Sequence, residues 1–297
     1  MRYVFVVALS LSLLACQDPN AGDLINHHQV GQVERQIRPT DGKGWNGNGY
    51  GAGVTVKSYA SPGGWFRVHY TLDGTHAVPK ADADKSGVPD FAEDFGKTFD
   101  QVYKTLIQTR GFRPPLDDSK YHDRPDYGGD ARFDVYLQDM PTGGADGYMV
   151  TEACANTTPK QCSGYMVVDN DFKEYSYPTA KDGMEVLSSH EFFHAMQNAY
   201  RYNLPRNISE GTAVWATEQV FPKQKDFEGF ARIFFKQPER SLDHDQGRAD
   251  SFPYSQGVWF QFLGEKFGVK VIPALLEELS DKGSSSEYLL ATDLVLK

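Results

Sequence analysis

The chain has 297 residues, 40% of them hydrophobic and 13% aromatic, enough to bury a core in one large domain or two small ones. Its 40 acidic residues outnumber 30 basic ones for a formal charge of -10, and no long basic run could track a phosphate backbone. These properties describe a globular protein and argue against nucleic acid as a partner.

Residues 1–15 read as a targeting signal peptide, with Arg2 as the positive start and an apolar run too short to span a bilayer comfortably. The run ends in Leu13-Leu14-Ala15-Cys16, which resembles the lipobox of bacterial lipoproteins. That resemblance implies lipidation of Cys16 and a membrane partner, at the outer membrane or cell surface; an ordinary secretory signal is the alternative. Either route takes the chain out of the cytoplasm. The other two cysteines, Cys154 and Cys162, form a close pair that an oxidising compartment favours as a disulfide, with two buried thiols as the alternative. Two thiolates are too few for a cysteine zinc site. Residues 16–53 are polar and then glycine-rich ("DGKGWNGNGYGAG"), and read as a flexible tether, with a pro-segment or irregular cap as the other reading.

The domain proper is expected over 54–297, sheet-rich to 180 and helical from 181. "VTVKSYA" and "WFRVHYTL" carry aromatic and β-branched residues near period two around Pro-Gly-Gly, which predicts a hairpin. Phe91, Phe95, Phe99, Tyr103 and Leu106 recur at helical spacing over 90–109, stopped by Gly111 and Pro114-Pro115. "ARFDVYLQDM" and "GYMVVDNDF" (164–172) read as strands, and every later periodic segment, beginning with "MEVLSSHEFFHAMQNAY" from residue 184, reads as helix. Strands first and helices afterwards predict an α+β fold.

Two segments carry candidate metal chemistry. "DADKSGVPDFAE" sets Asp82, Asp84, Ser86, the Val88 carbonyl, Asp90 and Glu93 at positions one, three, five, seven, nine and twelve of a loop, with Gly87 at six. Those are the positions from which an EF-hand loop wraps oxygens around calcium. Pro79 upstream leaves no room for an entering helix, so a structural calcium loop between hairpin and helix is expected, against the alternative of an acidic turn that only caps the helix.

In "SSHEFFHAMQNAY", His190 and His194 lie four residues apart and share one helix face, where two imidazoles can hold one cation. Glu191 beside them could take a proton from an activated water. A catalytic zinc needs a third ligand. The helix must end before Pro205, and "NISEGTAVWATE" can turn back as a second helix from about Ser209 with Glu210 in its first turn, facing the histidines; Glu218 is the alternative ligand.

"SHEFFHAMQ", "SEGTAVWATE" and "YSQGVWFQFLGEKFG" together resemble secreted bacterial zinc metalloproteases of the gluzincin type, over roughly residues 65–280. The resemblance implies a zincin-like fold: an N-terminal mixed β-sheet with the EF-hand-like calcium loop, followed by a mainly helical half carrying the HExxH helix. It implies an edge strand that pairs with an extended substrate, which by similarity would be "SGYMVVDND". It implies zinc on His190, His194 and Glu210, Glu191 as general base, and an oxyanion donor for which Tyr254 and His244 are the candidates. The activity expected is hydrolysis of peptide or protein substrates outside the cytoplasm. The rival expectation is a surface binding or adhesion lipoprotein that keeps the zincin shell without catalysing.

Overall fold

The computed structural model describes residues 38–40, 49–118, 128–140, 145–157, 159–247, 249–281 and 288–296. The signal peptide and the lipidation candidate Cys16 lie outside the described residues. Five strands form one mixed sheet: β1 (Lys57–Ala60), β2 (Phe66–Tyr70), β3 (Phe133–Gln138), β4 (Gly147–Cys154) and β5 (Cys162–Asp169). Their order across the sheet is β1-β2-β3-β5-β4, with antiparallel pairs at both ends and the parallel pairs β2/β3 and β3/β5 between them. The architecture is α+β.

Alternation along each strand divides its side chains between two faces. Phe66, Val68, Val135, Leu137, Met149, Met166 and Val168 join one core with α1 (Asp90–Tyr103) and α2 (Ala180–Tyr200). The aromatic stripe of α1 is spent there: Phe99 lies 4.9 Å from Phe66, ring centre to ring centre, and Phe192 of α2 meets Phe66 at 4.8 Å. Each such fully buried ring contributes about 1.5–3 kcal/mol. Beyond Tyr103 the helix loosens into a π-helical turn, Lys104–Thr109, before Gly111.

On the opposite face Tyr136, Tyr148, Val150, Tyr165 and Val167 pack against Tyr50, from the segment expected to be a tether, and against Val54 and Val56 just after it. Tyr50 donates its hydroxyl hydrogen to Leu137 O at 2.9 Å. Arg38 is fully buried and meets three carboxylates: Asp118 at 2.5 Å, Asp134 at 2.6 Å and Glu152 at 2.7 Å. The described parts of 16–53 are thus cover for the second sheet face, because an all-tyrosine and valine face cannot be left to water.

The helical half continues with α3 (Arg206–Val220), α4 (Asp226–Phe235), the single turn α5 (Phe252–Ser255), α6 (Gly257–Phe267), α7 (Val271–Asp281) and α8 (Tyr288–Leu296). Among the described residues no helix is long and apolar enough to cross a membrane. Helix α2 starts earlier than residue 184, at Ala180, where the Thr179 side chain accepts from Asp182 N at 3.3 Å. Strand β4 is a finding of the structure: its "GYMVTEAC" was not among the expected strands. It pairs with β5 through Met149 opposite Met166, and the disulfide Cys154–Cys162 closes their far end.

Candidate metal centre

Helices α2 and α3 run side by side, and their buried polar contacts set the register. Ser189 Oγ meets Thr217 Oγ1 at 2.9 Å, and further along α2 Gln197 Nε2 donates to Ser209 O and Thr212 Oγ1, both at 2.8 Å. His190 and His194 lie between these two links on α2, and Glu210 lies within the second, between Ser209 and Thr212. Close approach on the far side of α3 depends on Gly211, where an added Cβ would sit 2.6 Å from Gln256 Cβ and 2.8 Å from Phe260 Cε2.

His190 and His194 present their rings 4.9 Å apart. The Glu210 Oε2 atom lies 3.3 Å from His190 Nε2 and 3.5 Å from His194 Nε2. Bonds of about 2.0–2.2 Å in a tetrahedron hold donor atoms about 3.3–3.6 Å apart, and the two contacts of Glu210 Oε2 with the histidine nitrogens fall in that range, one of them also serving as a hydrogen bond to His190. Glu210 is the fifth residue of α3, since that helix begins at Arg206 and not near Ser209 as expected; its long side chain still reaches the histidines. Glu218, further along α3, lies near Glu228 and does not line the cleft.

One oxygen of Glu191 also lies within 4.8 Å of a nitrogen of each histidine. Its Oε2 accepts from Met149 N at 3.0 Å, which holds it toward β4 and leaves the ligand position to Glu210. The cleft beside these groups has a volume of about 150 Å³, lined by Met149 and Thr151 of β4, by Glu191, His194 and Glu210, and by the turn from Arg201 to Leu204. The strand at its wall is β4, the edge of the sheet. This corrects the expected substrate-pairing strand: "SGYMVVDND" is β5, paired on both sides and wholly buried.

Electrostatics favour a cation at this point. Burial lowers the pKa of His190, which keeps it neutral and able to offer a lone pair. For His194 burial acts the same way, but the Glu210 carboxylate outweighs it and pushes the imidazole up to about 9. Burial raises Glu210, and the two histidines reverse this and hold it at about 2. A single positive charge is therefore wanted between the three side chains.

The oxyanion candidates stand differently. Tyr254 is buried, with its ring stacked on His190 at 6.1 Å and on Phe230 of α4 at 5.3 Å, and it does not line the cleft. His244 is exposed on a loop beside Gln246 at 3.2 Å. The polar groups that do line the cleft include Asn198, whose Nδ2 donates to Thr151 Oγ1 at 3.1 Å, and Arg201. Sequence periodicity misses such residues because they sit at the C-terminal end of α2, where no motif marks them.

In the 82–93 loop, carboxylate oxygens of Asp82, Asp84 and Asp90 lie within 4.8 Å of one another. Backbone amides already order them: Ser86 N donates to Asp82 and to Asp84 at 3.0 Å, and Ala83 N to Asp90 at 3.1 Å. Lys85 and Gly87 both adopt positive φ, 59° and 86°, where the chain wraps around the carboxylates. Ser86 Oγ lies 3.3 Å from Val88 O, but Glu93 lies outside that trio and instead meets Lys97 Nζ at 3.0 Å. A third acidic group, Asp139, Asp169 and Glu174, was not foreseen. Asp169 there accepts from Met140 N and Asp171 N, both at 3.0 Å, which accounts for it as a turn-forming residue. No family profile matches the chain, and a search of curated proteins finds no match.

Proposed function

We propose that the protein is a zinc-dependent endopeptidase of zincin-like fold, exported and held to a membrane through a lipid on Cys16, that hydrolyses peptide bonds of proteins outside the cytoplasm. The observation that carries the reading is the convergence of Glu210 Oε2 on His190 Nε2 and His194 Nε2, at 3.3 and 3.5 Å, from two helices beside a cleft bounded by a sheet edge.

Zinc, when bound, supplies Lewis acidity toward the scissile carbonyl and lowers the pKa of water. Glu191 accepts the proton of the attacking water as its oxygen bonds to the carbonyl carbon, and passes it to the nitrogen as the C–N bond breaks. Met149 N–H orients that carboxylate. Strand β4 is an edge strand, so an extended peptide would add to it on the side without a neighbouring strand, next to the Met149 N–H that Glu191 holds. The loop of Asp82, Asp84 and Asp90, with Ser86 and the Val88 carbonyl beside it, would hold calcium in a structural role.

The test is elemental analysis of the chain from residue 17 after dialysis, with a panel of peptide substrates. About one zinc per chain is expected, lost in His194→Ala, whereas Glu191→Gln keeps the metal and loses activity by at least about 10³-fold. A folded protein that refuses added zinc overturns the reading. Zinc retained with no hydrolysis of any peptide moves it to a surface binding lipoprotein.

A further inference from the structure

Gln197 is almost fully buried, 2% exposed, one turn past His194 on α2, and nothing in the HExxH pattern calls for it. Its hydrogen bonds fix which way the amide faces, and Ser209 Oγ stands beside the imidazole, 3.2 Å from His194 Nδ1. Ser209 O can only accept, and Thr212 Oγ1 gives its own proton to Ile208 O at 2.7 Å, so both need a donor. The two N–H groups of the Gln197 amide, 2.8 Å from each, are that donor. Its carbonyl Oε1 is therefore turned to His194 Nδ1 at 2.8 Å, and accepts as well from Ser209 Oγ at 3.1 Å. Facing an oxygen, His194 Nδ1 must carry hydrogen. The nitrogen left for ligation is then Nε2, the atom 3.5 Å from Glu210 Oε2.

We propose that Gln197 is the positioning residue of the metal centre: its carbonyl fixes His194 with Nδ1–H inward and Nε2 toward Glu210, while its amide hydrogens tie α2 to the two residues flanking Glu210. One side chain thus sets both the orientation of one ligand and the distance between the ligand helices. An outer-shell partner of this kind is worth about 10–100-fold in metal affinity. The inference rests on the proposed zinc site for its consequence, but its geometry concerns the protein alone.

The experiment uses the full folded protein with ¹⁵N-labelled histidine, in the wild type, Gln197→Met and Gln197→Glu. The His194 Nδ1–H resonance is read before and after adding zinc, and zinc affinity is read by competition with a chromophoric chelator. The wild type is expected to show a protected Nδ1–H. Gln197→Met, similar in volume but without acceptor or donors, loses that resonance and binds zinc about 10–100-fold more weakly. Gln197→Glu, which keeps an acceptor and forfeits the donors, recovers the resonance and part of the affinity. A Gln197→Met protein with an unchanged resonance overturns the proposal, whatever the zinc result. A resonance that follows Gln197 in a protein that binds no zinc upholds the positioning and sinks the metal reading, so the two failures are separate.

Discussion

At the residue scale, the Glu210 carboxylate holds a proton on His194. It outweighs burial and pushes His194 up to about 9, so at neutral pH a proton sits where a metal would go. Zinc must displace that proton, because only the neutral imidazole is a ligand. The sign follows: affinity rises with pH up to about 9 and levels off above it, since beyond that point no proton competes. Chelator competition between pH 6 and 9 should give an apparent affinity that climbs about tenfold per pH unit, with about one proton released per zinc in buffers of different ionisation enthalpy. A flat profile would mean that His194 is already neutral and that Glu210 is not its partner. That His190 and His194 come together was legible in the sequence because a four-residue spacing on a helix dictates a shared face; the approach of Glu210 was expected only from a turn-back before Pro205 and from the family resemblance. Gln197 was not, since a glutamine on a helix has no pattern until the facing helix supplies Ser209 and Thr212.

Among elements, β4 matters most to the cleft and was the one the sequence concealed. Its "GYMV" recurs at 164–167 in β5, yet an apolar run of that length ahead of a disulfide has no strict alternation to show that it forms a separate strand. Pairing between the two depends on Gly164, where an added Cβ would lie 2.1 Å from Val150 O and 2.5 Å from Met149 Cε. Gly164→Ala should therefore push β4 off the sheet edge and carry Met149 N–H away from Glu191. A loss of about 1–3 kcal/mol is expected in denaturant unfolding, with peptidase activity falling further than stability alone explains. Wild-type unfolding and activity in Gly164→Ala would show that the edge is not held as described. The loop proposed to hold calcium is a second element-scale case. Its carboxylates are ordered by backbone amides, so the loop is preformed and an ion bound only to the native state must stabilise it. Millimolar calcium should raise Tm in the wild type, and Asp84→Asn, an exposed change, should abolish that rise while leaving the Tm in chelator unchanged.

For the whole molecule, Arg38 and Tyr50 belong to the body of the protein. A glycine-rich composition suggested a tether ending at residue 53, because composition reports local stiffness and says nothing of a distant partner. The partner is a cage of Asp118, Asp134 and Glu152, from a loop and two strands, closed around Arg38. Burial pushes Asp118 up to about 7 even with Arg38 beside it. Without the guanidinium three buried carboxylates would face one another, a loss on the order of 3–5 kcal/mol for one uncompensated partner. The native pKa values of Asp118 and Asp134, already raised by burial, would rise further while the unfolded values stay near 4, so between those limits the native state would hold protons that the unfolded state releases. Stability of Arg38→Met should consequently fall as pH rises, and its deficit against the wild type should be small at pH 5 and large at pH 8. The same logic governs truncation. A chain beginning at residue 54, where the sequence puts the domain boundary, lacks both Arg38 and Tyr50 and exposes Tyr136, Tyr148 and Val150. It should unfold at lower denaturant than Arg38→Met and associate in solution, while a chain beginning at residue 17 should be monodisperse with full stability. Equal midpoints for the two truncations, measured by urea unfolding at pH 8, would return residues 38–53 to the role of a passive leash.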